Sequence, residues 1–299
     1  MNIGRIKGII PPLITPMDSE EKVDEKALRA IVRRAIDSGL HGIFVAGSGG
    51  EVMSLVQAER ERAIRIATDE ADGAVPVIAG AIDTSTGRVI DNVKRIEDIG
   101  CDAAVVTPAF YMRNSGQGEI LRHFTEIAKR TSLPIIAYNV PGNTGGISMT
   151  PDIVAEIAGI DNVIGIKDSS GSWPVFQKLL SISEKKDFMV FQGLPEFAAV
   201  SLLGGAHGVT PLYALVFPEL YIALYENCLK KNVDKAFELQ KLANKINEVN
   251  SLAVAPMSVQ KYVVSMFCPS NKRSALPVEP LTPEQEKKIQ SFIKNIRKG

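Results

Sequence analysis

Cysteine is scarce in this chain, and its scarcity excludes two classes of small structured protein. The three cysteines, Cys101, Cys228 and Cys268, are an odd number and form no CxxC pair. A disulfide framework or a zinc ribbon needs more cysteines at closer spacing. We therefore expect buried, reduced thiols in a reducing compartment.

Histidine is equally scarce, which bears on metal and nucleophilic chemistry. His41, His123 and His207 each stand about 80 residues from the next. A metal-dependent aldolase needs histidines and carboxylates clustered at strand ends. The GxSxG motif of serine hydrolases is also absent. The sequence therefore predicts no metal site and no Ser–His–Asp arrangement.

No excess charge and no long apolar run is found either. Lys+Arg and Asp+Glu both number 34, a balance that argues against a nucleic-acid-binding surface. No stretch of about 18 apolar residues occurs, and the first residues do not have the pattern of a signal peptide. We expect a soluble, cytoplasmic protein that binds neither nucleic acid nor membrane.

What the chain does contain is a strict alternation of short β-branched runs with segments of helical period. Such alternation is typical of βαβ units around a parallel sheet. It predicts an α/β fold, a (β/α)₈ TIM barrel over residues 1–216, with the eighth helix at about 217–230 and a C-terminal helical extension over 231–299. A doubly wound sheet remains the alternative. The predicted strands are Gly8–Ile14, Gly42–Val45, Val75–Ala81, Ala103–Thr107, Ile135–Tyr138, Val163–Lys167, Met189–Gln192 and Gly208–Thr210.

Lys167 is the first candidate for chemistry, because it closes the sixth apolar run, in NVIGIKDSSG. In a parallel barrel, the carboxyl ends of the strands face the active-site mouth. A lysine there is partly desolvated, which favours the neutral amine needed to attack a carbonyl. The alternative is a structural lysine that extends to the rim or pairs with Asp168.

Tyr138 ends the preceding strand, in IIAYNVPGNTGG. One strand–helix–strand unit separates it from Lys167, so the two side chains should lie on neighbouring strands at the same level. A phenol beside a forming carbinolamine can transfer protons. A tyrosine merely packed at the rim is the alternative. By the same rule, Thr210 at the end of the eighth strand is a candidate for substrate binding.

A glycine-rich loop follows the second strand, in FVAGSGGEVMSL. Its closely spaced backbone amides, around Ser48 and Gly49, predict an anion nest suited to a carboxylate, and Ser48 adds a hydroxyl. A nucleotide loop would need GxxxxGK or GxGxxG, and neither is present. A plain turn remains possible at this point.

The ordered set GSGGE, YNVPGNTG and GIKDSSG resembles the dihydrodipicolinate synthase/N-acetylneuraminate lyase family. The likeness extends from the opening GIIPPLITP through TPAFY and LLGGAHGV to LPVEPLTP, which is essentially the whole chain. It implies a barrel with C-terminal helices, a class I aldolase or lyase, and no metal or organic cofactor. It also implies a homotetramer made of tight dimers, acting on a 2-oxo acid, expected to be pyruvate, and an aldehyde.

Carried over residue by residue, the resemblance assigns roles to five positions. Lys167 would be the Schiff-base lysine and Tyr138 the proton-transferring tyrosine. Ser48 would supply a relay hydroxyl, and the Ser48 and Gly49 amides would bind the pyruvate carboxylate. A further tyrosine, donated across the dimer interface, would be Tyr111, with Phe110 as the alternative at that place.

One departure from the family pattern concerns the second substrate. Dihydrodipicolinate synthases typically have an arginine where this chain has Asn143, and that arginine binds the carboxylate of the aldehyde. Asparagine has neither the charge nor the fork geometry. We therefore expect a 4-hydroxy-2-oxoglutarate or 2-keto-3-deoxy-sugar-acid type of lyase. Genuine dihydrodipicolinate synthesis, a dehydratase using the same imine, and a non-catalytic barrel that binds a 2-oxo acid are the alternatives.

Overall fold

The computed structural model describes residues 3–112, 116–184 and 186–298. Eight strands alternate with helices along the first part of the chain, as predicted. The strands are β1 (Gly8–Ile9), β2 (Ile43–Val45), β3 (Val77–Gly80), β4 (Ala103–Val106), β5 (Ile135–Asn139), β6 (Val163–Asp168), β7 (Met189–Gln192) and β8 (Gly208–Val209).

The eight strands form one parallel sheet in the order β1-β8-β7-β6-β5-β4-β3-β2. A doubly wound sheet reverses its strand order at a switch point, and this order never reverses, so that alternative is wrong. The segment after β1 also bonds to β2, since Phe44 N–H donates to Pro11 O at 3.0 Å and Leu13 N–H to Phe44 O at 2.8 Å. The architecture is thus consistent with a (β/α)₈ barrel.

The strands are shorter at both edges than the sequence predicts. The first predicted strand, Gly8–Ile14, is a two-residue strand followed by an extended segment that contains Pro11 and Pro12. Proline lacks the amide hydrogen that a ladder needs, and this explains the early end of β1. Every residue of the eight strands is buried, which agrees with the continuous hydrophobicity of the predicted runs.

Helices follow the strands, and side-chain caps fix several of their starts. Asp24 accepts the Ala27 N–H ahead of the first helix, and Thr150 caps the fifth, whose first residue is Pro151. The helices are α1 (Glu25–Asp37), α2 (Gln57–Ala71), α3 (Thr86–Ile99), α4 (Gln117–Ala128), α5 (Pro151–Ile157), α6 (Trp173–Ser183), α7 (Ala198–Leu203) and α8 (Pro218–Leu229).

The rest of the described chain is mostly helical, with a non-helical segment before the last helix. It contains α9 (Val233–Asn247), a 3₁₀ segment (Glu248–Leu252), α10 (Pro256–Ser265) and α11 (Pro283–Lys298). α9 packs on α8 and on the start of α7, while α10 contacts the segment that follows β8. The helices after α8 therefore lie against the β7–β8 side of the sheet and reach its carboxyl edge.

The described residues also bear on two predicted absences. Within these ranges no helix combines the length and the apolar character needed to cross a membrane. Nor does any group of three His, Cys, Asp or Glu residues in this part of the chain have the arrangement of a metal site.

Candidate active site

Lys167 and Tyr138 are direct partners in the register of β6 and β5. Lys167 Nζ lies 4.3 Å from the centroid of the Tyr138 ring and 4.7 Å from that of Phe44. Both Lys167 and Tyr138 are about 95% buried. The predicted pairing of an amine with a phenol on adjacent strands is therefore present in the structure.

Asp168 does not pair with Lys167, because successive strand residues point to opposite faces of the sheet. Its carboxylate accepts Asn139 Nδ2–H at 2.7 Å and Ser170 Oγ–H at 2.9 Å. Burial raises the pKa of Asp168, while these two hydrogen bonds oppose the rise. With 5% of its surface exposed, Lys167 does not extend to the rim either, so both structural alternatives for this lysine are wrong.

The Tyr138 hydroxyl has a serine hydroxyl close by. Ser169 Oγ lies 3.5 Å from the Tyr138 hydroxyl. Gly193, at the end of β7, lies against this group, because a Cβ there would meet Ser169 Oγ at 1.9 Å and Lys167 Cε at 3.1 Å. Only glycine fits at position 193 while Lys167 and Ser169 stay in place.

The loop after β2 forms a tight 3₁₀ turn over Ser48–Gly50. Gly47 is required ahead of it, since a Cβ there would lie 2.6 Å from the Phe44 ring. The turn is held by Thr15 Oγ1–H, which donates to Gly50 O at 2.7 Å, and it ends at Glu51 with φ of +56°. Ser48 and Gly49 are thereby presented to the space above Lys167.

A cavity of about 330 Å³ brings the predicted residues together, and we call it the lysine cavity. Its lining includes every predicted catalytic and substrate-binding residue except Tyr111, namely Ser48, Gly49, Tyr138, Asn143, Lys167 and Thr210. Thr210 is buried, and its Oγ1 lies 3.4 Å from Gln192 O. Asn143 is exposed on the 3₁₀ turn Pro141–Asn143.

A second cavity, also about 330 Å³, adjoins the first, and we call it the outer cavity. Ser48, Asn143 and Met257 line both. Phe110 lines the outer cavity, whereas Tyr111 is 89% exposed and has a φ of +77°. Tyr111 therefore does not contribute to the site of its own chain.

Several residues of the site were not predicted from the sequence. Phe44 and Ser169 contact the central pair, and the helical C-terminal region contributes Asn250, Met257 and Gln260 to the lysine cavity. Gly193 directly follows the predicted strand Met189–Gln192, so the strand-end rule, applied one residue further, could have found it. The C-terminal residues carry no such local signal.

The chain is similar to known proteins over nearly its whole length. The family model described as "Dihydrodipicolinate synthetase family" matches residues 5–296. A 4-hydroxy-tetrahydrodipicolinate synthase of Methanopyrus kandleri is 37% identical over 237 residues, 79% of this chain and 78% of that protein. The protein of the same name from Methanothrix thermoacetophila is 30% identical over 287 residues, 96% of each chain.

Solved structures give the same result for the fold. YagE of E. coli K12, a prophage protein of the dihydrodipicolinic acid synthase family solved in complex with pyruvate, aligns with a TM-score of 0.92 and 26% identity, covering 98% of this chain and 99% of that one. A monomeric dihydrodipicolinate synthase variant aligns at 0.90, with 97% and 96% covered. The chain therefore belongs to the dihydrodipicolinate synthetase family, whose members are Schiff-base-forming lyases of the class I aldolase type.

Proposed function

We propose that Lys167 forms a Schiff base with pyruvate, and that the enzyme cleaves or condenses this 2-oxo acid with an aldehyde. One observation carries the proposal: a buried amine lies beside a phenol in a cavity. None of the ion pairs among the described residues includes Lys167, so no carboxylate competes for its Nζ.

In the cleavage direction, Nζ attacks the C2 carbonyl of the 2-oxo acid to give a carbinolamine, which loses water to form an iminium ion. A base removes the proton of the C4 hydroxyl. The C3–C4 bond then breaks, its electron pair moves into the iminium to form an enamine, and the aldehyde leaves. The enamine takes a proton at C3, and water hydrolyses the imine to release pyruvate and free Lys167. Condensation is the reverse sequence.

Tyr138 is the residue we assign to these proton transfers. Its phenol lies on the strand next to Lys167, with Ser169 Oγ at 3.5 Å from the hydroxyl. Ser48 lines the same cavity and supplies the second hydroxyl of the relay. A positioned acid–base group of this kind typically contributes 10²- to 10⁴-fold in rate.

The pyruvate carboxylate is assigned to the amides of Ser48 and Gly49. Tight turns with successive N–H groups bind anions through partial charges that need no cationic side chain. This suits the lysine cavity, whose only charged lining residues among those described are Lys167 and Glu196.

For the substrate that is cleaved into pyruvate and an aldehyde, we propose the 4-hydroxy-2-oxoglutarate or 2-keto-3-deoxy-sugar-acid type. No arginine lines either cavity in the described ranges, while Asn143, Thr210, Asn250 and Gln260 offer neutral hydrogen-bonding groups. Within this proposal, Glu196 in the same lining favours the neutral hydroxyaldehyde of a 2-keto-3-deoxy-sugar acid over glyoxylate, the carboxylate-bearing aldehyde of 4-hydroxy-2-oxoglutarate. A second cation that would substitute for the missing arginine, Arg113 in the sequence segment MRNSGQG, lies outside the described residues.

Authentic 4-hydroxy-tetrahydrodipicolinate synthesis is the second candidate. It is favoured by the names of the relatives from Methanopyrus kandleri and Methanothrix thermoacetophila. The two candidates share the pyruvate imine and differ in the aldehyde, so a trapping experiment tests what they share and an aldehyde screen separates them.

We also propose that the sheet is a closed (β/α)₈ barrel, that residues 231–299 form its extension, and that the protein is a cytoplasmic homotetramer. The hydrogen bonds between residues 11–13 and Phe44 support closure. Tyr111, 89% exposed at the mouth, supports a neighbouring subunit there, with Tyr111 near the neighbour's site. A stable, active monomer in sedimentation at micromolar concentration would contradict the tetramer.

The test of the function combines two steps. Borohydride is added with each of a panel of 2-oxo acids, and the mass of the protein is measured. The acid that gives an adduct is then offered with neutral polyhydroxy aldehydes, glyoxylate and aspartate semialdehyde in a coupled assay. We expect pyruvate in the first step and an aldehyde other than aspartate semialdehyde in the second.

A further inference from the structure

A buried ion pair joins the glycine-rich loop to the C-terminal helices. Glu51, the residue that ends the Ser48–Gly50 turn, pairs with Lys261 of α10. The Lys261 side chain is fully buried, and that of Glu51 is 4% exposed. Lys261 Nζ also donates to Arg273 O at 2.6 Å, and the Ala275 N–H donates to Glu51 Oε2 at 2.8 Å.

Each partner of this pair lies next to the lining of the lysine cavity. On one side, Glu51 N–H donates to Ser48 O at 3.0 Å, so the carboxylate and the turn that presents Ser48 and Gly49 are parts of one short loop. On the other side, Met257 and Gln260 belong to the same helix as Lys261 and line that cavity. The pair therefore connects two walls of one cavity.

The backbone conformation of Glu51 makes the Glu51–Lys261 ion pair important for the glycine-rich loop. Glu51 has a φ of +56°, in the left-handed region that non-glycine residues adopt uncommonly. Its carboxylate is held by Lys261 and by the Ala275 N–H, while Thr15 holds the neighbouring Gly50 O. Without the pair, the direction of the Ser48 and Gly49 amides depends on Thr15, on the Ala275 N–H and on the turn itself.

We infer that the Glu51–Lys261 pair is a positioning device, which uses the C-terminal helices to aim the Ser48 and Gly49 amides at the carboxylate of the 2-oxo acid. This inference rests on the proposed Schiff-base function. Glu51 and Lys261 do not touch the reacting atoms, so their removal acts on the binding of the acid rather than on imine chemistry. Displacing an oriented group by about 1 Å commonly costs about 100-fold.

The experiment measures imine trapping by cyanoborohydride at Lys167 across pyruvate concentrations. The variants are Glu51→Gln, which keeps an acceptor for Ala275 but loses the ion pair, and the double variant Glu51→Gln/Lys261→Met, which leaves no unpaired buried charge. The control is Asp102→Asn: this carboxylate accepts the Val77 N–H at 2.8 Å before β4, at the opposite end of the strands. Thermal unfolding of each protein is measured in parallel.

We expect both Glu51 variants to need roughly 10- to 100-fold more pyruvate for half-maximal trapping, with the rate at saturation within about threefold of wild type. The double variant should recover thermal stability, but its pyruvate concentration for half-maximal trapping should stay raised. Asp102→Asn should lose thermal stability and keep the wild-type pyruvate concentration for half-maximal trapping. The inference is overturned if the double variant regains wild-type half-saturation, or if Asp102→Asn shows the same rise. If wild type itself gives no pyruvate adduct, the proposed function falls and the positioning role falls with it.

Discussion

Two lysines are buried in the described part of this protein, and their surroundings are opposite. Lys261 is fully buried in an ion pair with Glu51, while Lys167 is 5% exposed and lies over the rings of Phe44 and Tyr138 without a carboxylate partner. Burial lowers the pKa of Lys261, and Glu51 opposes this by favouring the charged form. A buried charge that is paired serves the structure, whereas a buried amine left free in a cavity is available to react.

The same substitution at both sites gives the largest expected effects. Lys167→Met should abolish turnover, because no other residue replaces the imine-forming amine. Its unfolding free energy should stay equal or increase, since an apolar side chain of similar volume replaces a polar one. Steady-state kinetics and chemical denaturation measure the two quantities. Residual turnover near wild type would assign the imine to another residue.

Lys261→Met should instead lower the unfolding free energy. It leaves Glu51 buried without its cation, which typically costs about 3–5 kcal/mol of unfolding free energy. Chemical denaturation checks this, with Lys288→Met as the control, because Lys288 pairs with Glu284 on the exposed face of α11. A loss no larger than that of the control would mean that the buried pair contributes little to stability.

Replacing Tyr138 by phenylalanine tests the proton-transfer role of the hydroxyl beside Lys167. The ring beside Nζ remains and only the hydroxyl is lost, so pyruvate should still bind while turnover falls roughly 10²- to 10⁴-fold. Tyr225→Phe is the control, since Tyr225 packs against His41 far from the lysine cavity. Near-normal turnover of Tyr138→Phe on its aldehyde would remove this hydroxyl from the mechanism.

A smaller effect is expected when a second cation is added to the cavity. Asn143→Arg should improve kcat/KM for aspartate semialdehyde about 10- to 150-fold, the value of a charge-assisted contact of roughly 1.5–3 kcal/mol. Asn143→Gln is the neutral control, and Arg113→Ala tests the other cation. If wild type already turns over this aldehyde at about 10⁴ M⁻¹s⁻¹ or more, the ordinary range for an enzyme's own substrate, the synthase is the correct assignment.

The fold and the centre of the site could be predicted because both depend on local patterns. Alternation of strand and helix gives the sheet, and the strand-end rule places Lys167 beside Tyr138. Family membership, predicted from three short motifs, is confirmed.

Contacts between distant segments could not be predicted. The Glu51 carboxylate meets the Ala275 amide 224 positions away, and no periodicity signals such a pair. The role of Tyr111 depends on a neighbouring subunit, so it stays a prediction.

The most direct measurement is peptide mapping after borohydride reduction in the presence of pyruvate. We expect one pyruvate-derived adduct, located on Lys167 and absent from Lys167→Met, while Lys261 stays unmodified. Binding of pyruvate without any adduct would indicate the non-catalytic barrel. An adduct on another lysine would contradict the assignment of Lys167.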